Sequence, residues 1–266
     1  VELVQGEERH GITAGSGATS RASEVGKIVG KESKGIVVGG KSDIQCSNVG
    51  TIEGGDEDGI LVQGGNSNVS LKFGGAVKAF VGSGVRIDGS NNTLVIHDYG
   101  EIEAIEGDGV FVFGGVARIE NVDRIAGGGS AIHFTNRSSA TVKNVRIVHG
   151  GDHGFKLGES EATIVSTELL KGGSSGFEID SSKLSASVIK AIESPMAFLI
   201  KNGSAVFSEC NGKENARIED SDVVFSNCKI EMNVIQEGGT AKFENTEITE
   251  SALLRSRVTS LLGCEI

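Results

Sequence analysis

The chain repeats a short pattern of apolar and polar positions. The repeated unit is a glycine with an isolated Ile or Val, then a short polar loop, then a second glycine with alternating apolar residues. It recurs in GKIVGKESKGIVVGG (26–40), GTIEGGDEDGILVQGG (50–65), GAVKAFVGSGVRIDGS (75–90) and GEIEAIEGDGVFVFGG (100–115). Looser copies continue to residue 247, and ten steps over this stretch give a period of about 22 residues. A fixed period of this size is typical of solenoids.

Each repeat contains short segments that alternate at a period of two residues. In the fourth repeat, Val110 and Val112 alternate with Phe111 and Phe113, and alternation resumes over 116–120. This period indicates strands with one buried face. Three strands joined by turns would make one coil, and stacked coils would pair each strand with its copy about 4.8 Å away. We therefore predict one all-β domain over residues 26–266, a single-stranded parallel β-helix of about ten coils with an interior of aliphatic columns.

Two other repeat folds fit this pattern less well. Left-handed hexapeptide helices and calcium-binding β-rolls need strict six- or nine-residue repeats, and neither runs along the chain. Residues 1–25 are polar and fit the repeat poorly, so we expect a cap or a first irregular coil there. RVTSLLGCEI (257–266) lacks a polar cap, so we expect the solenoid to have been cut there, or another chain to cover this end.

An asparagine precedes a small apolar residue at the start of several repeats. Asparagine tolerates the left-handed backbone that a tight corner requires, and stacked amides can bond to one another. We expect an interrupted ladder, because Tyr99, Thr167 and Ile189 lie at or near the equivalent corner. The asparagines concerned are Asn48, Asn121, Asn144, Asn227 and Asn245.

These corners resemble the asparagine ladder of the pectate-lyase-like right-handed β-helix superfamily, over roughly residues 26–266. The resemblance implies a right-handed helix and a link to polysaccharides. NNTLVIHDYGEIEAIEGDGVFVFGG (91–115) also resembles the passenger repeats of bacterial autotransporters and related adhesins, most strongly over 26–115. That likeness implies an extracellular or cell-surface location.

Composition narrows the classes of partner. The formal net charge is −11 and the pI is near 5.0, which argues against nucleic acid or an anionic membrane surface. No apolar run is long enough to span a membrane. Glycine contributes 40 of 266 residues but shows no period of three, which excludes collagen.

The four cysteines fit an inward-facing position of the repeat. Cys210, Cys228 and Cys264 share the position of Val122, and Cys46 aligns with another apolar column. We expect buried small side chains there. A disulfide between Cys210 and Cys228 stays open as an alternative, whereas no spacing favours a metal.

Candidate chemistry lies on outward positions of the Gly-apolar-x-apolar strand, because the interior is filled. There the pattern predicts a strip of mixed charge over about five coils, with two aromatic residues beside it. We call it the charged strip. Its members are Arg86, Asp88, Asp108, Phe111, Phe113, His133, Asp152, His153, Lys156, Glu178 and Asp180.

The strip suggests several roles. The candidate catalytic residues are Asp108, His133, His153, Lys156 and Asp180, because they supply carboxylates and bases for hydrolysis or β-elimination. The candidate substrate-binding residues are Arg86, Asp88, Phe111, Phe113 and Glu178. Alternatively, mixed outward charges simply keep the sheet soluble and stabilise their neighbours.

The acidic loops GGDEDG (54–59) and EGDG (106–109) suggest a calcium site at Asp56, Asp58 and Asp108, although solvated turn acids are the commoner explanation. No cofactor is required. Asp58 and Asp108 are also a candidate pair of carboxylates about 10 Å apart for an inverting hydrolase.

Our leading hypothesis is a secreted or surface-exposed adhesive or structural solenoid that binds a polysaccharide or cell-surface glycan. Further copies or a longer solenoid would meet its C-terminal end. One alternative is a polysaccharide lyase or glycoside hydrolase. Another is a trimeric protein resembling phage tailspikes, with the outward Phe pair between chains. A flat strip favours adhesion, and a cleft favours an enzyme.

Overall fold

The computed structural model describes residues 3–6, 10–15, 17–255 and 258–266. These ranges contain 27 strands in two parallel sheets and no helix that could cross a membrane.

The first sheet contains the long strands of the coils and their shorter C-terminal counterparts. They are Leu3–Gly6, Thr19–Gly30, Asp43–Gly54, Asn68–Ala79, Thr93–Ala104, Val116–Gly127, Ser139–Gly150, Glu161–Gly172, Lys183–Glu193, Ser204–Gly212, Asp222–Ser226, Lys229–Ile230, Thr240–Glu244, Glu247–Ile248 and Val258–Leu262.

The second sheet contains the strands that follow each turn. They are Ile12–Ala14, Ile36–Val38, Ile60–Gln63, Val85–Asp88, Val110–Phe113, Ile132–Thr135, His153–Gly158, Ser175–Asp180, Met196–Lys201, Asn215–Glu219, Asn233–Glu237 and Ser251–Arg255.

Each strand pairs in parallel with its equivalents one coil earlier and one coil later. Val110, for example, pairs with Val85 on one side and with Ile132 on the other. The predicted parallel solenoid is therefore confirmed, with about 11 turns where the repeat pattern suggested about ten. Its right-handedness stays a prediction of the sequence.

The coils shorten toward the C-terminus. Asp43 pairs with Asn68, 25 residues later, whereas Ser204 pairs with Asp222, only 18 residues later. The predicted period of 22 is thus an average over a narrowing solenoid. The long strand also divides in the last coils, as in Asp222–Ser226 and Lys229–Ile230.

Every complete long strand bends at one residue in the left-handed backbone region. Asn48, Asn121 and Asn144 occupy this corner with φ between 52° and 56°. The Nδ2 of Asn144 donates to Oδ1 of Asn121 over 3.0 Å, and Asn121 donates in turn to Asp98 over 2.8 Å. The ladder is interrupted, as predicted. The corner residues are Glu24, Asn48, Phe73, Asp98, Asn121, Asn144, Ser166, Val188, Glu209, Asn227 and Asn245.

The three residues expected at or near the corner lie one position past it. Tyr99, Thr167 and Ile189 are buried and point into the core, and the corner itself is formed by the residue before each of them. An inward Tyr or Ile at this point fits the apolar column that continues through Val122.

A second, buried ladder follows the strands of the second sheet. The amide of Ser138 donates to Oγ of Ser160 over 3.2 Å, and that of Ser160 donates to Ser182 over 3.0 Å. Nearer the N-terminus, the amide of Ser67 donates to Oδ1 of Asn92 over 3.0 Å. These side chains satisfy backbone groups that would otherwise be buried without partners at the turn.

The expected aliphatic interior is wrong for the C-terminal half. Phe155, Phe177 and Phe198 stack almost parallel in one fully buried column, and Phe225 with its neighbours Phe207 and Phe243 forms another.

The aromatic column changes sides of the interior near residue 200. Ala216 follows Phe198 in the first column, and Ala186 precedes Phe207 in the second. At Ala216 the first column is narrow where the second is aromatic, and at Ala186 the second column is narrow where the first is aromatic. This exchange keeps the interior evenly filled.

The cysteines lie where the repeat places them. Cys46, Cys210 and Cys228 are buried, Cys264 is half-buried, and all four are free thiols. The amide of Cys210 lies 3.5 Å from Sγ of Cys228, so the two residues are neighbours without a disulfide. Burial raises the pKa of Cys46 to about 12, as expected for an inert thiol in the core.

The N-terminal segment 1–25 falls partly outside the described residues. Within the described part, Leu3–Gly6 and Ile12–Ala14 pair with the following coil in the first and second sheets. Thr19–Gly30 is already a complete long strand, so regular stacking begins before residue 26.

Candidate functional site

The parallel register brings the charged strip together on the outer face of the second sheet. Arg86, Phe111 and His133 are directly paired across three adjacent strands, and Lys156 and Glu178 continue the same column. Asp88 and Phe113 form the start of a parallel column that also includes Asp180. The predicted juxtaposition is confirmed for these residues, whereas Asp152 lies in the turn before the strand His153–Gly158. Neither finding tests a role in binding or catalysis.

Phe111 lies between a cation and an imidazole. The Cζ atom of Arg86 is 5.1 Å from the centroid of the Phe111 ring, within the range of a cation–π contact. The His133 ring meets the same ring edge-to-face at 5.1 Å and 80°. Phe111 is consequently half-buried and held in place, whereas Phe113 leaves 40% of its surface exposed.

Asp108 and His133 form a hydrogen-bonded dyad. Oδ1 of Asp108 accepts the amide of Ser130 over 2.7 Å, and its Oδ2 lies 3.0 Å from Nδ1 of His133. Because an ionised carboxylate only accepts, Nδ1 of His133 carries the proton in this contact. Its Nε2 has no partner among the described residues, so it is available to an incoming ligand.

The dyad is one of three similar contacts that recur at every second coil. From Asp58 to Ser175, the position at the start of the second-sheet strand alternates a larger side chain with a serine, and each larger side chain contacts the serine of the next coil. Asp58 accepts the amide of Ser83 over 2.8 Å in the same way that Asp108 accepts that of Ser130. His153 contacts Oγ of Ser175 over 2.7 Å.

His153 joins a serine and a carboxylate. Its Nε2 lies 2.7 Å from Oε2 of Glu178, which is also 3.5 Å from Nζ of Lys156. Contact with His153 lowers the pKa of Glu178 to about 2. The Ser175–His153–Glu178 arrangement resembles a nucleophile relay, but Ser175 is only 1% exposed and cannot reach a substrate. Its role is therefore to brace adjacent coils.

Most strip charges are already satisfied within the protein. Arg86 lies 3.2 Å from its own strand neighbour Asp88, and Lys156 pairs with Glu178. The exposed Asp180 accepts from Ser181 and Asn202. The strip presents paired ions and two aromatic rings, without an excess of cations for a polyanion.

The calcium hypothesis gains no geometric support. Asp58 is 6% exposed, and burial raises the pKa of its carboxyl. Across the described residues, no group of three or more His, Cys, Asp or Glu side chains is arranged to hold a metal ion, and Asp56, Asp58 and Asp108 do not form one. The same burial removes Asp58 as the partner of Asp108 in an inverting hydrolase.

The charged strip lies on the outer face of a sheet, where the sequence left a flat strip and a cleft open. Five depressions of the described surface, including the one lined by Phe80 and Ile105, have no member of the charged strip in their linings. Asp108 and His133 keep about a fifth of their side-chain surface exposed on the sheet.

One depression was missed by the sequence pattern, because it lies in turns that the repeat treats as polar loops. Phe80 and Ile105 follow consecutive long strands and are 52% and 57% exposed. With Glu53, Lys78 and Asp56 they line a groove of about 390 Å³, which we call the Phe80 groove. Concave sites with an apolar wall and a few polar groups are the usual form of small-ligand sites.

An ionic network outside the Phe80 groove holds the Lys78 side chain that lines it. Nζ of Lys78 lies 3.3 Å from Glu103 and 3.5 Å from Glu101, and Arg124 contacts both carboxylates. Burial opposes the charged forms, but hydrogen bonds with these partners raise the pKa of Lys78 and lower that of Glu103. Glu53 pairs with Lys27 over 2.7 Å.

Comparison of the chain with protein-family models, with curated protein sequences and with solved structures finds no match. The function is therefore argued from the site alone.

Proposed function

We propose that the protein is a secreted or surface-exposed adhesive solenoid whose charged strip binds a neutral polysaccharide lying along the stacking direction. The observation that carries the proposal is the column Arg86–Phe111–His133, in which an aromatic ring is fixed on the outer face of a continuous sheet. Aromatic faces pack against the apolar faces of sugar rings, and the flanking polar groups bond to hydroxyls.

The charge distribution favours a neutral ligand. Arg86 and Lys156 are each engaged by a carboxylate of the strip, and the chain as a whole carries −11. An acidic polysaccharide would meet long-range repulsion, and the strip cations Arg86 and Lys156 are already paired. Hydroxyl groups, by contrast, can bond to ions that stay paired with one another.

The test uses affinity electrophoresis to measure binding of the protein to a panel of polysaccharides. Phe111→Ala and Phe113→Ala should each weaken binding of a neutral glycan about tenfold. Ile235→Ala is the matched control, because Ile235 is an apolar member of the same outward column, three coils beyond Glu178. An equal loss in the control, or no binding by any neutral glycan, would refute the proposal. A trimer that Phe113→Ala dissociates would instead assign that ring to a subunit contact.

The Asp108–His133 dyad supports a second candidate function, the cleavage of a polysaccharide. A histidine oriented by a carboxylate, with its other nitrogen open, is suited to general base catalysis. New reducing ends or unsaturated uronates that appear with the wild type and vanish in His133→Gln would favour this candidate over adhesion. Absence of cleavage across acidic and neutral glycans, with and without Ca²⁺, would eliminate it.

A further inference from the structure

The apolar wall of the Phe80 groove is confined to two coils. The register places Gly55 before Phe80 and Gly128 after Ile105 in one turn column. A Cβ atom at Gly55 would collide with the carbonyl oxygen of Lys31, and one at Gly128 with that of Ile105. The backbone thus forbids side chains at these two flanking positions, so Phe80 and Ile105 are the two side chains of this turn column between Gly55 and Gly128.

Among the described residues, one charged group in the lining of this groove is unpaired. Lys78 is held between Glu101 and Glu103, and Glu53 is held by Lys27. Asp56, by contrast, is exposed and has no partner among the described residues. A ligand therefore meets an apolar wall, the already paired charges of Glu53 and Lys78, and one unpaired carboxylate.

We propose that the Phe80 groove is a second binding site, for a sugar ring that carries a protonated amine. The apolar face of the ring would pack on Phe80 and Ile105, and its ammonium group would pair with Asp56. An aromatic ring beside a carboxylate favours a cation both through the ring quadrupole and through Coulomb attraction. The volume of about 390 Å³ is at the lower end for small-ligand sites, which suits one or two sugar rings.

This site is separate from the charged strip and makes a different demand on the ligand. The strip has its cations and carboxylates paired and selects for aromatic stacking, whereas the groove offers a free anion. The overall charge of −11 adds long-range attraction for a cationic glycan. Loss of one site leaves the other intact, so the two proposals fail independently.

The test compares three tetrasaccharides by isothermal titration with the intact chain: β-1,4-linked glucosamine, its fully N-acetylated form and the corresponding glucose oligomer. The glucosamine form should bind most tightly and weaken with added salt. Asp56→Asn should weaken it up to about fivefold and Phe80→Ala about tenfold. Both residues are exposed, so the fold should persist, which thermal unfolding verifies.

Glu231→Gln is the matched control, because Glu231 is an exposed acid in the corresponding turn of a later coil and lies outside both the charged strip and the lining of the groove. It should leave binding of the glucosamine form unchanged. Equal binding of the three oligomers, no binding of the glucosamine form, or wild-type affinity in Asp56→Asn would each overturn the proposal.

Discussion

The corner of the long strands provides a direct test of how this chain turns. Val188 occupies the left-handed region with φ of 57°, at the position where other coils place Asn. For an L-residue this conformation costs about 1–2 kcal/mol, and a β-branched side chain is among the worst tolerated. Val188 is 38% exposed, so it recovers little of this cost through packing.

Val188→Asn should therefore stabilise the folded chain by about 1 kcal/mol, because asparagine accepts the left-handed backbone at lower cost. For 266 residues this corresponds to a rise in melting temperature of about 2 °C, measurable by calorimetry or circular dichroism. Val206→Asn is the matched control. Val206 is 47% exposed but lies in a regular strand, where Asn is disfavoured and no gain is expected. If Val188→Asn were no more stable than Val206→Asn, the explanation of the corner by backbone strain would be refuted.

Three further predictions concern the core and the strip. Tyr99→Phe should raise stability by about 1 kcal/mol, because the buried Tyr99 hydroxyl has no partner among the described atoms; a lower melting temperature would contradict this. Phe198→Ala should lower the free energy of unfolding, measured in urea, by about 3–5 kcal/mol. Phe73→Ala removes a ring that is 57% exposed and should lower it far less. Equal losses in the two variants would contradict the aromatic core. Because the pKa of Glu178 is lowered from 4.5 to about 2, its carboxylate stabilises the fold above pH 4.5 and loses that contribution as the pH falls toward 2. The stability difference between the wild type and Glu178→Gln should shrink over that range, and a constant difference would count against the ion pair with His153.

The repeat was readable because two of its signals are strictly local. Alternation at Val110 and Val112 identifies the inward face, and parallel stacking then fixes that Arg86, Phe111 and His133 are neighbours. The corner asparagines were readable because few residues tolerate the left-handed region.

Other features depend on interactions between coils that a single repeat does not reveal. Ser138 and Ser160 look like ordinary turn residues, and only stacking shows that they form a buried ladder. The exchange of Phe198 for Phe207 across the interior depends on which columns face each other. Phe80 was overlooked because the loop that contains it is otherwise polar and glycine-rich.

The claim that the charged strip binds an extended glycan is tested most directly by the dependence of affinity on ligand length. From Arg86 to Glu178 the strip covers five adjacent strands, a span of about 19 Å at the usual strand spacing. Dissociation constants for a neutral oligosaccharide series should fall with each added sugar until the ligand covers this span, and then level off. A monosaccharide that binds as tightly as the longest oligomer, or a series in which no member binds, would contradict the proposal.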